Sequence, residues 1–149
     1  MMESIDASPE NIQLAVDMIR NHYYETSSTI NPLQEALGET PNPLKGKCYI
    51  CSAVLQNIFG KQNIKLQRCR DRAIPTNKNY PETYHWWCIT NDGEKIDITQ
   101  EQYKIENRNI PGLSDSDVIE DMTQLPYATL KDKVIALTEI IQNKLKESL

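Results

Sequence analysis

The sequence predicts an α+β domain, and three patterns carry that prediction. Apolar residues recur at helical spacing near both ends of the chain. The stretch from Cys48 to Phe59 is apolar on nearly every side and holds no Gly or Pro, which describes a helix buried all round. Between these helices lie short runs of β-preferring residues, 64–70, 84–90 and 94–99, separated by turn-forming residues. The expected architecture is a central helix packed on a short antiparallel sheet, with helices near both termini covering it.

Ser8-Pro9-Glu10 opens the first helix: Ser8 caps it, Pro9 takes the first helical position and Glu10 complements the dipole. Ile12, Ala15, Ile19 and Tyr23 form one apolar stripe, flanked by Leu14 and Met18, and the helix is expected to end near Tyr24. His22 reads as an ordinary helix histidine. Residues 25–47 carry Pro32, Gly38, Pro41, Pro43 and Gly46 and read as an ordered loop feeding the central helix. The two prolines nearest that helix keep its approach extended. Gly60 stands where a helix commonly ends in the left-handed conformation.

Ile64 to Arg70 reads as a strand, with Arg68, Arg70 and Arg72 on one parity. Such a stripe is either a solvated face or a contact for a substrate anion. Residues 71–82, with Pro75, Asn77, Asn79 and Pro81, form a loop that leads into the aromatic strand Tyr84-His85-Trp86-Trp87-Cys88. Asn91-Asp92-Gly93 is a strong turn signal, and 94–99 returns as a third strand. Residues 104–126 contain Pro111, Gly112, Pro126 and an acidic run, and read as irregular apart from a single helical turn. Leu130, Val134, Leu137, Ile141 and Leu145 define one face of a terminal helix, with Thr129 and Asp132 as its capping pair.

The chain has 149 residues, 39% of them hydrophobic and 25% charged, which fits one globular domain over 1–149. A net charge of −5 argues against a nucleic-acid partner. No apolar run is long enough for a membrane span, and the acidic start does not resemble a secretory signal. A cytoplasmic address follows, in which Cys48, Cys51, Cys69 and Cys88 are reduced thiols. Neither a metal nor a cofactor is expected; the scattered cysteines do not form zinc-ligand pairs.

Cys48 lies in the first turn of the central helix, where unpaired N–H groups and the helix dipole favour an anion. A thiol there, beside a histidine, ionises more easily than its usual pKa of about 8.5. His85 is the candidate base and Asp97 its orienting carboxylate. Whether they cooperate depends on the hairpin register. A two-residue loop of Asp92-Gly93 puts them on opposite faces of the sheet. A three-residue loop closed by Gly93 shifts every pair by one. Trp86, Cys88, Ile96 and Ile98 then share one face, and His85, Trp87, Lys95 and Asp97 share the other. Only the second register segregates the apolar residues, so burial selects it.

Glu25-Thr26-Ser27, Asn42-Pro43, Gly46-x-Cys48, Val54-Leu55-Gln56 and Phe59-Gly60 resemble the YunG-like family of small bacterial and phage proteins. So do His85-x-Trp87 and Asp92-Gly93-x-x-x-Asp97-x-Thr99-x-x-Gln102-Tyr103, with a weaker echo in Tyr127-x-x-Leu130. The resemblance implies a papain-like or transglutaminase-like core with Cys48, His85 and Asp97 at the Cys–His–Asp positions. The chain departs from that pattern in Tyr49-Ile50-Cys51 and in the long 71–82 segment, which is expected to border the cleft.

The expected activity is cysteine-dependent hydrolysis or transfer at an amide or ester bond of a small-molecule or peptide substrate. Tyr84, Trp86 or Trp87, Arg68 and Arg70 are the candidate substrate contacts. A second reading is a non-catalytic module that binds a small ligand or protein segment in the same cleft. A third is thiol redox chemistry through Cys48-x-x-Cys51.

Overall fold

The computed structural model describes residues 5–27, 36–37, 42–73 and 83–149. The segment expected to border the cleft falls largely on 74–82, outside the described residues, as does much of the segment between the first two helices. Helix α1 spans Pro9–Ser27 and helix α2 spans Cys48–Phe59. Strands β1 (Ile64–Arg70), β2 (Tyr84–Thr90) and β3 (Lys95–Ile96) follow, then a short helix α3 (Glu101–Ile105). Strand β4 (Ile119–Met122), a 3-10 turn (Ala128–Leu130) and helix α4 (Lys131–Ser148) complete the chain. The four strands form one antiparallel sheet in the order β3-β2-β1-β4. The class is α+β.

Helix α2 buries Cys48 to Gln56, Ile58 and Phe59, leaving only Asn57 outside the core. It sits on β1 and β2, with α1 and α4 packed against its other sides. Its partners on the sheet are Ile64, Leu66, Trp86 and Cys88, all 1% exposed or less. Ser8 caps α1 through its Oγ, which accepts the Asn11 N–H at 3.2 Å. Ile12, Ala15, Ile19 and Tyr23 are buried as a stripe. The opposite face of the sheet is covered by the chain after the hairpin. There Gly112 comes so close to Trp87 that an added Cβ would lie 2.7 Å from the indole ring.

The hairpin takes the register of the three-residue loop. Cys88 pairs with Ile96 and Ile89 with Lys95. Gly93 has φ +82°, a conformation only glycine adopts without strain, and its N–H donates to the Thr90 carbonyl at 3.0 Å. Four expectations need correction. Helix α1 runs on to Ser27, past the expected end near Tyr24, and the third strand covers only Lys95–Ile96 of 94–99. Residues 119–122 are a strand rather than irregular chain: cross-strand partners Arg68–Glu120 and Gln67–Asp121 hold them on β1. The terminal helix also starts without a side-chain cap, because a 3-10 turn over 128–130 leads directly into it.

Val134, Leu137, Ile141 and Leu145 of α4 are buried against the domain. Leu145→Ala should therefore cost about 2–5 kcal/mol of stability by leaving a cavity. Ile140→Ala, at an exposed site on the same helix, should stay within about 0.5 kcal/mol of wild type. Urea unfolding of the two variants checks this. Equal, small losses would mean that α4 does not dock on its own domain.

Candidate active site

The site forms where the sheet runs out. Along β2, main-chain groups alternate in direction. Thr83 and its even-spaced neighbours face β1, since the Thr83 carbonyl accepts the Asp71 N–H at 2.7 Å. Residues 84, 86, 88 and 90 face the β3 side, as the Thr90 N–H to Glu94 carbonyl bond of 3.0 Å shows. Strand β3 stops at Ile96. The Tyr84 carbonyl and Trp86 N–H beyond it meet a side chain instead of a strand. That side chain is Cys48. Its thiol donates to the Tyr84 carbonyl at 3.6 Å, and the Trp86 N–H points at the sulfur. Sγ thus lies against the backbone on both sides of His85.

His85 and Asp97 are brought together. His85 Nε2 and Asp97 Oδ2 are 2.6 Å apart, with side chains 0% and 3% exposed. The other ring nitrogen, Nδ1, is buried with no hydrogen-bond partner among the described residues. Arg20 of α1 braces the carboxylate's own segment: its Nε donates to the Ile98 carbonyl at 2.8 Å and its Nη2 to the Asp97 carbonyl at 3.3 Å. The ring of Tyr103 meets the imidazole edge-on with centroids 4.9 Å apart, and Trp87 lies 5.6 Å away. His85 is walled in on the face away from α2.

The helix N-terminus does not settle the charge of the thiol. Burial pushes Cys48 up from 9.0 to about 11, and the negative charge of Asp97 adds to that push. The N–H groups of Trp86, Tyr49 and Cys48 itself oppose it but do not win. The expected ease of ionisation is thus reversed, because removing a thiolate from water costs more than a few N–H dipoles return. Cys48 is 9% exposed, against 1% or less for the other three cysteines. Cys51 is fully buried, and burial drives its thiol well above the ordinary value. Cys88 rises to about 12 for the same reason. All four cysteines are free thiols.

The candidate substrate contacts separate. Tyr84 is half-buried beside the Cys48 sulfur, and the Arg68 guanidinium lies over its ring, 3.8 Å from the centroid. The Arg68 charge is matched by Glu120 at 2.6 Å. Arg70 lines a cavity of about 390 Å³ with Arg72, Asp117 and residues 109–111. Trp87 is fully buried on the opposite face; its indole N–H donates to Gln67 at 2.9 Å and Lys95 sits over its ring. Among the described residues no group of three His, Cys, Asp or Glu side chains is arranged to hold a metal ion.

Sequence reading passed over the ion chain that frames this site. Asp71, 3% exposed, pairs with Arg108 at 2.9 Å and caps the Ala73 N–H. Arg108 also holds Glu106 at 2.8 Å, which holds Lys45 at 2.6 Å. The guanidinium lies over Tyr103, 5.0 Å from the ring centre. One available signal was composition: Asp71 is the one carboxylate within the run of alternating arginines Arg68, Arg70 and Arg72.

No curated protein and no solved structure matches the chain. No helix among the described residues is long and apolar enough to cross a membrane. Among known protein families, residues 12–139 match the family described as YunG protein, a span that includes Cys48, His85 and Asp97. That match takes in well over half of the sequence, and the chain belongs to the YunG family.

Proposed function

We propose that this chain is a cysteine-dependent hydrolase or transferase acting on an amide or ester bond of a small molecule or peptide, built on a papain-like or transglutaminase-like core. The observation that carries the proposal is the division of labour on His85. Nε2 is committed to Asp97, while Nδ1 is left without a hydrogen-bond partner among the described residues, next to the backbone that seats the Cys48 sulfur. A buried imidazole nitrogen with nothing to bond is costly unless a reaction uses it.

In this reading Cys48 Sγ gives its proton to His85 Nδ1 as it attacks the substrate carbonyl. The new S–C bond produces an oxyanion, to which the Cys48 backbone N–H donates. Collapse breaks the C–N or C–O bond, and the leaving group takes the proton from His85. Water or an amine, deprotonated by the same imidazole, then attacks the thioester and releases the thiol. Asp97 fixes the ring tautomer and stabilises the imidazolium throughout. The raised thiol pKa makes the histidine indispensable: without it, a thiolate at neutral pH is scarce. Such chemistry suits the cytoplasm, where thiols remain reduced.

The second reading, a module that binds without turnover, draws support from the neutral, hydrogen-bonded state of the Cys48 thiol. A redox role for Cys48 and Cys51 has less support, since Cys51 has no exposed surface.

Iodoacetamide labelling of Cys48, followed by mass spectrometry across pH, tests the proposal. Wild type should label readily near neutral pH. In His85→Ala no imidazole takes the thiol proton, so labelling should be slow at neutral pH and rise only in strongly alkaline solution. Identical wild-type and His85→Ala profiles would leave the binding module as the better reading.

Asp97→Asn keeps the shape of the side chain but removes the charge that holds the imidazolium. Its Cys48 labelling rate near neutral pH should drop by about 100-fold or more, the scale of acid–base catalysis, when measured well below a thermal melt that the loss of one buried charge also lowers. Asp92→Asn, at the far tip of the hairpin, should behave as wild type. If Asp97→Asn also labels as wild type, the carboxylate has only a structural role.

A further inference from the structure

We propose that Gln102 is a positioning residue that fixes the Cys48 loop relative to the segment bearing Asp97; this rests on the cysteine-nucleophile reading above. Gln102 lies in α3 and is 5% exposed. Its Oε1 accepts the Gly46 N–H at 3.2 Å, and its Nε2 donates to Thr99 Oγ1 at 2.8 Å. Its main-chain carbonyl accepts Asn42 Nδ2 at 3.0 Å. Gly46 stands two residues before Cys48, and Thr99 two residues after Asp97. A single side-chain amide therefore spans the segment that delivers the sulfur and the segment that orients the imidazole.

The Gly46 N–H is tied down by this bond, within a turn closed by the Lys47 N–H donating to the Leu44 carbonyl at 3.1 Å. Gly46 has φ +73°, and nothing lies within 4 Å of where its Cβ would stand. A hydrogen bond is what holds such a backbone in place. Both ends of the Gln102 amide are engaged within the protein and the residue is 5% exposed, so it acts through Cys48 and not on the substrate. The geometry it sets is the approach of Sγ to His85 Nδ1, and proton transfer between the two is sensitive to that distance. A misplacement near 1 Å can cost on the order of 100-fold. Thr99, 1% exposed, is the other anchor of the same amide.

The test is the pH profile of Cys48 alkylation by iodoacetamide in the full chain, for wild type, Gln102→Leu, Thr99→Val and His85→Ala. Gln102→Leu should lower labelling near neutral pH by about tenfold to 100-fold relative to labelling near pH 11, moving its profile toward that of His85→Ala. A residue that only stabilises the fold would shift the thermal melt and leave this ratio alone. Thr99→Val removes a single hydroxyl and should move the ratio in the same direction. It also carries the test if Gln102→Leu does not fold. Wild-type ratios in both variants overturn the positioning role while leaving the catalytic reading standing. A wild-type profile indistinguishable from His85→Ala overturns the catalytic reading, and the role of Gln102 falls with it.

Discussion

A carboxylate taken out of water must find a partner, and Asp97 finds His85. Much of the molecule's layout follows from meeting that requirement. The hairpin must take the register that puts both on one face, so its loop needs three residues and a glycine at its end. The third strand must stop after two residues so that Asp97 can turn inward. Arg20 must reach from the first helix to tie down the carbonyls of Asp97 and Ile98. The chain after the hairpin must close over the imidazole with Tyr103. Each of these is a local choice, and all serve one buried pair.

The helix that carries Cys48 answers to a different demand. It is the core of the domain, and its first residue is buried for that reason. Two opposing effects therefore act on one sulfur. Dipoles near a helix N-terminus are worth about 0.3–1 kcal/mol at exposed sites, and up to about 2 kcal/mol when partly buried. The rise of the thiol from 9.0 to about 11, with the nearby N–H groups already opposing it, corresponds to roughly 3 kcal/mol against the anion. Desolvation is the larger effect. That net rise is what an imidazole partner has to offset by taking the proton.

The hairpin and the three candidate residues are legible in the sequence because each rests on a strong local rule. Asn91-Asp92-Gly93 names its own turn, and apolar alternation on either side leaves one register that buries Trp86, Cys88 and Ile98 together. The stripe of the first helix and the face of the last are equally plain. Strand β4 is not, because Ile119-Glu120-Asp121-Met122 gains its order from Arg68 and Gln67 about 50 residues upstream, within an acidic run that reads as loop. Gly60 does leave its helix with a positive φ, yet at ψ 153° it is extended rather than left-handed helical. The fate of the Cys48 thiol was hidden for the same kind of reason. A helix terminus is visible in sequence, whereas the depth at which it is buried depends on everything that packs around it.

All four cysteines of this chain are buried, each in a different structural setting: the mouth of the site, the central helix, and one in each of the two paired strands. Their accessibility is therefore a clock for the opening of the fold. Cys48 reports the edge of the sheet, where only a small movement separates Sγ from solvent. Cys51 and Cys88, at the helix–sheet junction, are reached only when that junction parts. Exchange at such positions follows the free energy of local or global opening, according to which contacts must break first. The same cysteines that make the unfolded chain prone to oxidation thus record, residue by residue, how tightly the folded one is held together.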